Sequence, residues 1–141
     1  MTTIAYKDGV MMGDKQCVWD DSTPTSMIKV FKVKIGSVVF LVGFAGHPGL
    51  GLKYIEEFRD RGFEANGHKE LEVMIVSQKG IWIVDEHGCP SSLNGAPHWA
   101  IGKGADFVMG ALQVGATLKE SMEAAAALDI NTGMGFDTVS F

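Results

Sequence analysis

From Val38 to Ala45 every residue but Gly43 is apolar. A run this short cannot cross a membrane, which takes about 18 or more such residues. It reads as a strand apolar on both faces, and such a strand has to be covered on each side by another layer. The elements around it must supply those layers. Thr2-Thr3-Ile4-Ala5-Tyr6-Lys7 is β-rich, Asp8-Gly9 is a strong two-residue hairpin signal, and Val10 to Gly13 returns as a second strand. Met27 to Ile35 alternates imperfectly between apolar residues and lysines, which predicts a third strand, turned by Gly36-Ser37 into the apolar fourth.

Pro48 then suits a first helical turn. Leu50, Tyr54, Ile55 and Phe58 share one helical face, and Arg59, Arg61 and Gly62 supply C-terminal signals, predicting a helix over Pro48 to Arg61. Leu71 to Ser77 and Ile81 to Val84 are β-branched runs joined through Gln78-Lys79-Gly80, a second hairpin. Asp85 to Pro97 reads as a loop. After Trp99-Ala100-Ile101, Phe107, Val108, Ala111 and Leu112 fall on one helical face up to Gly115. Thr117-Leu118-Lys119-Glu120 is a capping box that opens another helix, with Leu118, Met122 and Ala125 on one side. Gly135 to Phe141 closes the chain as a strand. Strands grouped between helices suggest sheets packed together with helices outside, rather than an alternating βαβ fold.

Composition narrows the function. The chain has 141 residues, enough for one domain. Twelve Lys and Arg against seventeen Asp and Glu leave a net charge of −5, without the basic footprint that phosphate binding needs, so nucleic acid is not an expected partner. No membrane span or secretory signal pattern is present, and the two cysteines, Cys17 and Cys89, form no disulfide framework, so a reducing, cytoplasmic setting is expected. Asp85-Glu86-His87-Gly88-Cys89 carries metal-ligand residue types at a spacing that fits no closed zinc pattern. Gly43-Phe44-Ala45-Gly46 lacks the Gly-Lys-Ser/Thr ending of a phosphate loop. No metal or cofactor is expected.

Several segments, taken in order, carry a resemblance. Thr2-Thr3-Ile4, Gly13-Asp14, Lys29-Val30, Gly43-Phe44-Ala45-Gly46, Ala100-Ile101-Gly102 with Gly104, and Asp129-Ile130-Asn131-Thr132-Gly133 together resemble the proteasome β-subunit and the bacterial proteasome-like protease of the N-terminal-nucleophile (Ntn) hydrolases. Short relatives encoded by bacteriophages are similar. The resemblance implies an α+β fold, a four-layer αββα sandwich, and a homo-oligomer such as a ring. It implies a threonine peptidase that cleaves peptide bonds in a peptide or protein substrate once Met1 is removed. Thr2 would then hold a hydroxyl nucleophile beside its own α-amine, a base with a reference pKa of ~7.7–8.0.

By the same resemblance, Lys29 would stabilise the Thr2 alkoxide and Asp14 would orient Lys29. Gly46 would donate its N–H to the oxyanion, and Asp129 and Thr132 would bond around the Thr2 amine. An extended substrate would lie against Val18 to Asp20 and Gly46 to Pro48, with Phe44 shaping the specificity pocket and His47 beside it, a residue that also suits a helix start. The chain departs from the pattern in two places. Lys103 stands where the family has a serine, and one helix, Pro48 to Arg61, stands where the family has two, which would leave an apolar sheet face for another subunit to cover. The alternative reading is an inactive assembly or virion component that keeps Met1. No feature for docking an ATP-driven unfoldase is evident, and a phage-encoded chain would work in the host cytoplasm or the virion.

Overall fold

The computed structural model describes residues 2–19 and 23–141. Met1 and the Asp20 end of the expected substrate-facing segment lie outside the described residues. The first hairpin forms as expected: β1 (Thr3–Lys7) pairs antiparallel with β2 (Val10–Asp14) across Asp8-Gly9. Neither strand is an edge. On the far side of β1 lies β10 (His98–Gly102), and on the far side of β2 lies β11 (Phe136–Ser140), giving a four-stranded antiparallel sheet in the order β10-β1-β2-β11.

The apolar run becomes β6 (Val38–Gly46), between β5 (Val30–Ile35) and β7 (Leu71–Ser77). With β8 (Gly80–Val84) and β9 (Pro90–Ser92) these make a five-stranded antiparallel sheet. Three expectations need correction. The strand expected from Met27 begins only at Val30, because Met27 N instead donates to Lys15 O at 2.8 Å. Part of the expected loop, Pro90–Ser92, pairs with β8, whose open edge rather than any apolar pattern in those residues recruits it. A hairpin absent from the sequence reading, β3 (Gln16–Trp19) and β4 (Thr23–Ser26), forms a separate two-stranded ribbon. Its second strand, Thr-Pro-Thr-Ser, is mostly exposed and carries a proline, which an edge strand tolerates.

Helix α1 (Pro48–Arg61) matches its expected bounds, with Pro48 in the first turn and Gly62 as C-cap donating its N–H to Phe58 O. Tyr54, Ile55 and Phe58 are buried, whereas Leu50 is half-buried. In α2 (Ala105–Gln113) Val108 and Leu112 are buried, but Phe107 is 41% exposed and does not join their face. The capping box opening α3 (Leu118–Leu128) is complete: Glu120 N donates to Thr117 Oγ1 at 3.1 Å and Thr117 N to Glu120 Oε1 at 2.9 Å. No helix among the described residues is long and apolar enough to cross a membrane.

Three apolar clusters join these parts. One holds α1 residues Tyr54, Ile55 and Phe58 with Val42, Phe44 and Ile75 of the five-stranded sheet. The second joins the two sheets through Ile4, Met11, Leu41, Met74 and Ile101. The third joins Ala5, Met12 and Ala100 to α2 and α3 through Val108, Leu112, Met122 and Ala125. At the α1 cluster Phe63, in a 3₁₀ turn after the helix, stands edge-on to Phe40 and Phe58 and packs against Trp82 at 5.2 Å between ring centres. This aromatic group covers part of the face expected to lie open beside a single helix. The sheets approach closely where Ile4 wedges between Gly13 and Gly43. A Cβ on either glycine would come within 2.8 Å of an Ile4 methyl carbon, so only glycine leaves room.

Candidate functional site

Thr2 sits immediately before β1 and is only 3% exposed, its carbonyl accepting Lys103 N at 2.9 Å. Because β1 is flanked on both sides, the β1–β2 register brings Asp14, at the end of β2, beside Thr3. Asp14 Oδ1 accepts Thr3 N at 2.9 Å and Lys29 Nζ at 3.2 Å, and Asp14 Oδ2 accepts Gly133 N at 3.1 Å and Gln16 N at 3.3 Å. Lys29, just ahead of β5, also donates to Gln16 O. Both partners of this ion pair are almost fully buried. Burial pushes the Lys29 ammonium below its usual value, partly offset by the Asp14 charge. Burial likewise raises the Asp14 carboxyl, against the pull of Lys29 and of the Thr3 and Gly133 N–H groups.

A second polar group approaches from the C-terminal side. Asp129 caps the end of α3, and its Oδ1 accepts Asn131 N at 3.1 Å in a local turn, a habit of aspartate side chains. Its Oδ2 accepts the Thr132 hydroxyl at 2.7 Å, and Thr132 Oγ1 lies 2.7 Å from Thr3 Oγ1. Partial burial would raise the Asp129 carboxyl, but the hydrogen bonds from Thr132 and Asn131 outweigh it and hold the group below its ordinary value.

Thr2 and Gly46 border two cavities. The larger, about 600 Å³, is lined by Cys17, Val18, Met27, Lys29, Phe44 and His47 among others. The smaller, about 430 Å³, is lined by Lys103, Gly102, Glu70, Glu72 and their neighbours. Gly46 has φ of 116°, a backbone state that side chains rarely adopt, and a Cβ there would overlap the Glu70 carbonyl. His47 caps α1, its Nδ1 accepting Leu50 N at 3.3 Å, so the residue suited to a helix start also faces the larger cavity.

The fold thus gathers into one region all nine residues singled out in the sequence: Thr2, Asp14, Lys29, Gly46, Asp129, Thr132, Val18, Phe44 and His47. The described bonds of Thr132 run to Thr3 and Asp129. Four participants had been given no role: Thr3, Gly104 and Gly133, which were named only within motifs, and Gln16. Gln16 and Gly133 act on Asp14 through backbone N–H groups, which every non-proline residue has, so residue type carries no signal for them. Among the described residues no group of three or more His, Cys, Asp or Glu could hold a metal ion.

No protein-family model and no curated protein matches the sequence. Solved structures do match the fold. HslV from Trypanosoma brucei superposes with a TM-score of 0.72 at 16% identity, over 98% of this chain and 97% of that one. BPH from Thiobacillus denitrificans, in complex with epoxomicin, gives 0.72 at 17% identity over 99% and 97% of the two chains. The Gly-1 mutant of Anbu from Hyphomicrobium sp. strain MC1 gives 0.79 at 14% identity, over 100% of this chain and 82% of that one. The chain shares the fold of these HslV, BPH and Anbu structures, in keeping with the order of the sequence motifs.

Proposed function

We propose that the chain is a threonine-type peptidase of the proteasome-like class, a single domain built as a four-layer αββα sandwich and acting through Thr2 once Met1 is removed. The observation that carries this reading is Lys29, buried and paired with Asp14, in the wall of the cavity that Thr2 borders. Burying an ion pair rarely gains stability over an apolar replacement. A charge kept there at that cost suits a reaction that develops negative charge beside it.

The freed α-amine takes the proton from the Thr2 hydroxyl, and Oγ1 attacks the substrate carbonyl carbon. The resulting oxyanion is stabilised by the Gly46 N–H, a contact worth ~10²–10³ in rate where measured elsewhere. Lys29, oriented by Asp14, stabilises the developing alkoxide. As the C–N bond breaks, the Thr2 α-ammonium gives that proton to the leaving amine, and an ester remains on Thr2. Water, deprotonated by the Thr2 α-amine, then attacks that ester, and the proton passes on to the departing Thr2 Oγ1. Asp129 and Thr132 hold the amine's surroundings, and Val18, Phe44 and His47 receive the extended substrate.

Assembly as a homo-oligomer, in a cytoplasmic setting that would be the host's if the chain is phage-encoded, completes the reading. Exposed Leu128 and Ile130, 64% and 90% accessible, suit burial against another copy.

Intact mass measurement followed by incubation with the epoxyketone epoxomicin tests it. Loss of Met1 and a covalent adduct that disappears in Thr2→Ala are expected. Retained Met1 with no adduct would overturn the peptidase and leave the non-catalytic assembly component.

A further inference from the structure

Thr3 ties the two polar groups together. Its backbone N–H donates to Asp14 Oδ1, and its hydroxyl oxygen accepts Gly104 N at 3.0 Å and lies 2.7 Å from Thr132 Oγ1. The direction of that last bond follows from its neighbours. Gly104 N–H can only donate. The Asp129 carboxylate, held ionised by its donors, can only accept. Thr132 has one proton and gives it to Asp129 Oδ2, so Thr3 must give its own to Thr132. A one-way chain results, from Gly104 N–H through Thr3 and Thr132 to Asp129, in which both hydroxyls donate and accept. Both threonines are buried, and a Cβ on Gly104 would crowd their oxygens, so a glycine is needed at this place.

We propose that Thr3 is a positioning residue for Thr2, its hydroxyl locking the residue next to the nucleophile onto the Asp129–Thr132 pair while its N–H locks it onto Asp14. The inference rests on the peptidase reading above. Thr2 and Thr3 share a peptide plane, so anchoring Thr3 from two sides limits how the Thr2 hydroxyl can turn relative to Lys29. Small misplacements of this kind reach the rate rather than binding.

The test is the kinetics of covalent labelling by epoxomicin in Thr3→Val, which keeps the shape and loses the hydroxyl, in Thr3→Ala, which cannot overpack, and in Thr3→Ser, which keeps the hydroxyl. The limiting labelling rate should fall about tenfold or more in the Val and Ala variants, the rate equivalent of one hydrogen bond. The half-saturating concentration should stay within about twofold, because ground-state binding is untouched, and Thr3→Ser should restore the rate. In a Thr132→Val background, Thr3→Val should cost little more.

A wild-type rate in both Thr3→Val and Thr3→Ala, or a loss that Thr3→Ser does not restore, overturns the inference while wild-type labelling still supports the peptidase. A wild-type protein that is never labelled overturns both.

Discussion

Replacing Lys29 by methionine removes the charge while keeping an unbranched side chain of similar length. Lys29 is 2% exposed and Asp14 1%, so the carboxylate left behind cannot turn to water. Breaking a buried pair from one side costs about 3–5 kcal/mol. Asp14 keeps the N–H groups of Thr3, Gln16 and Gly133, which puts the loss at the lower end, about 3 kcal/mol out of a total of about 5–15. For a chain of this length that is a fall in Tm of about 10 °C.

The loss should depend on pH with a definite sign. Burial already raises the Asp14 carboxyl, and without Lys29 it rises further. A raised carboxyl favours the folded state only while it is protonated, so the penalty is full above the folded-state pKa and shrinks as pH falls through it. Urea unfolding followed by the fluorescence of Trp82 and Trp99 should therefore show a wide gap between wild type and Lys29→Met at pH 7.5 and a narrower one at pH 5. A gap under about 1 kcal/mol at pH 7.5, or the same gap at both values, would refute the reasoning, since a one-sided loss this deep in the protein has to cost more than that and has to titrate.

Gly51→Ala would ordinarily stabilise a helix by about 1 kcal/mol, but a Cβ there would overlap the Phe44 ring. Overpacking costs about 1–3 kcal/mol, so thermal melts should show a net loss, and a gain would mean that Phe44 moves freely. Thr117→Ala removes one half of the capping box of α3 and should cost about 1 kcal/mol, read as a Tm lower by about 3 °C. An unchanged Tm would mean that the cap contributes nothing to the folded protein.

Periodicity and caps made much of the fold legible. Pro48, the spacing of Tyr54, Ile55 and Phe58, and the Thr117–Glu120 box each act over a single helical turn, where sequence and structure stay in register. Strands β4 and β9 were not legible because neither carries an apolar run and both contain proline. Pairing there is decided by the strand alongside. Phe63, which no sequence signal singled out, is part of an aromatic cover over the five-stranded sheet. Within the site, Thr2, Asp14 and Lys29 were reached through motif order. The bonds that unite them come from residues far apart along the chain and fall largely on backbone groups. Thr3 was named in the first motif but given no role for a different reason: threonine suits a strand so well that its hydroxyl gives no further signal.

Interior strands of a sheet are seldom the first to come undone, whereas chain ends usually are. By seating β1 between β10 and β2, this fold reverses the usual gradient of disorder, and the opening residues become among the last to let go. A segment fused ahead of Thr2 would have to leave through one of the two cavities that Thr2 borders, and would fill that space on its way out.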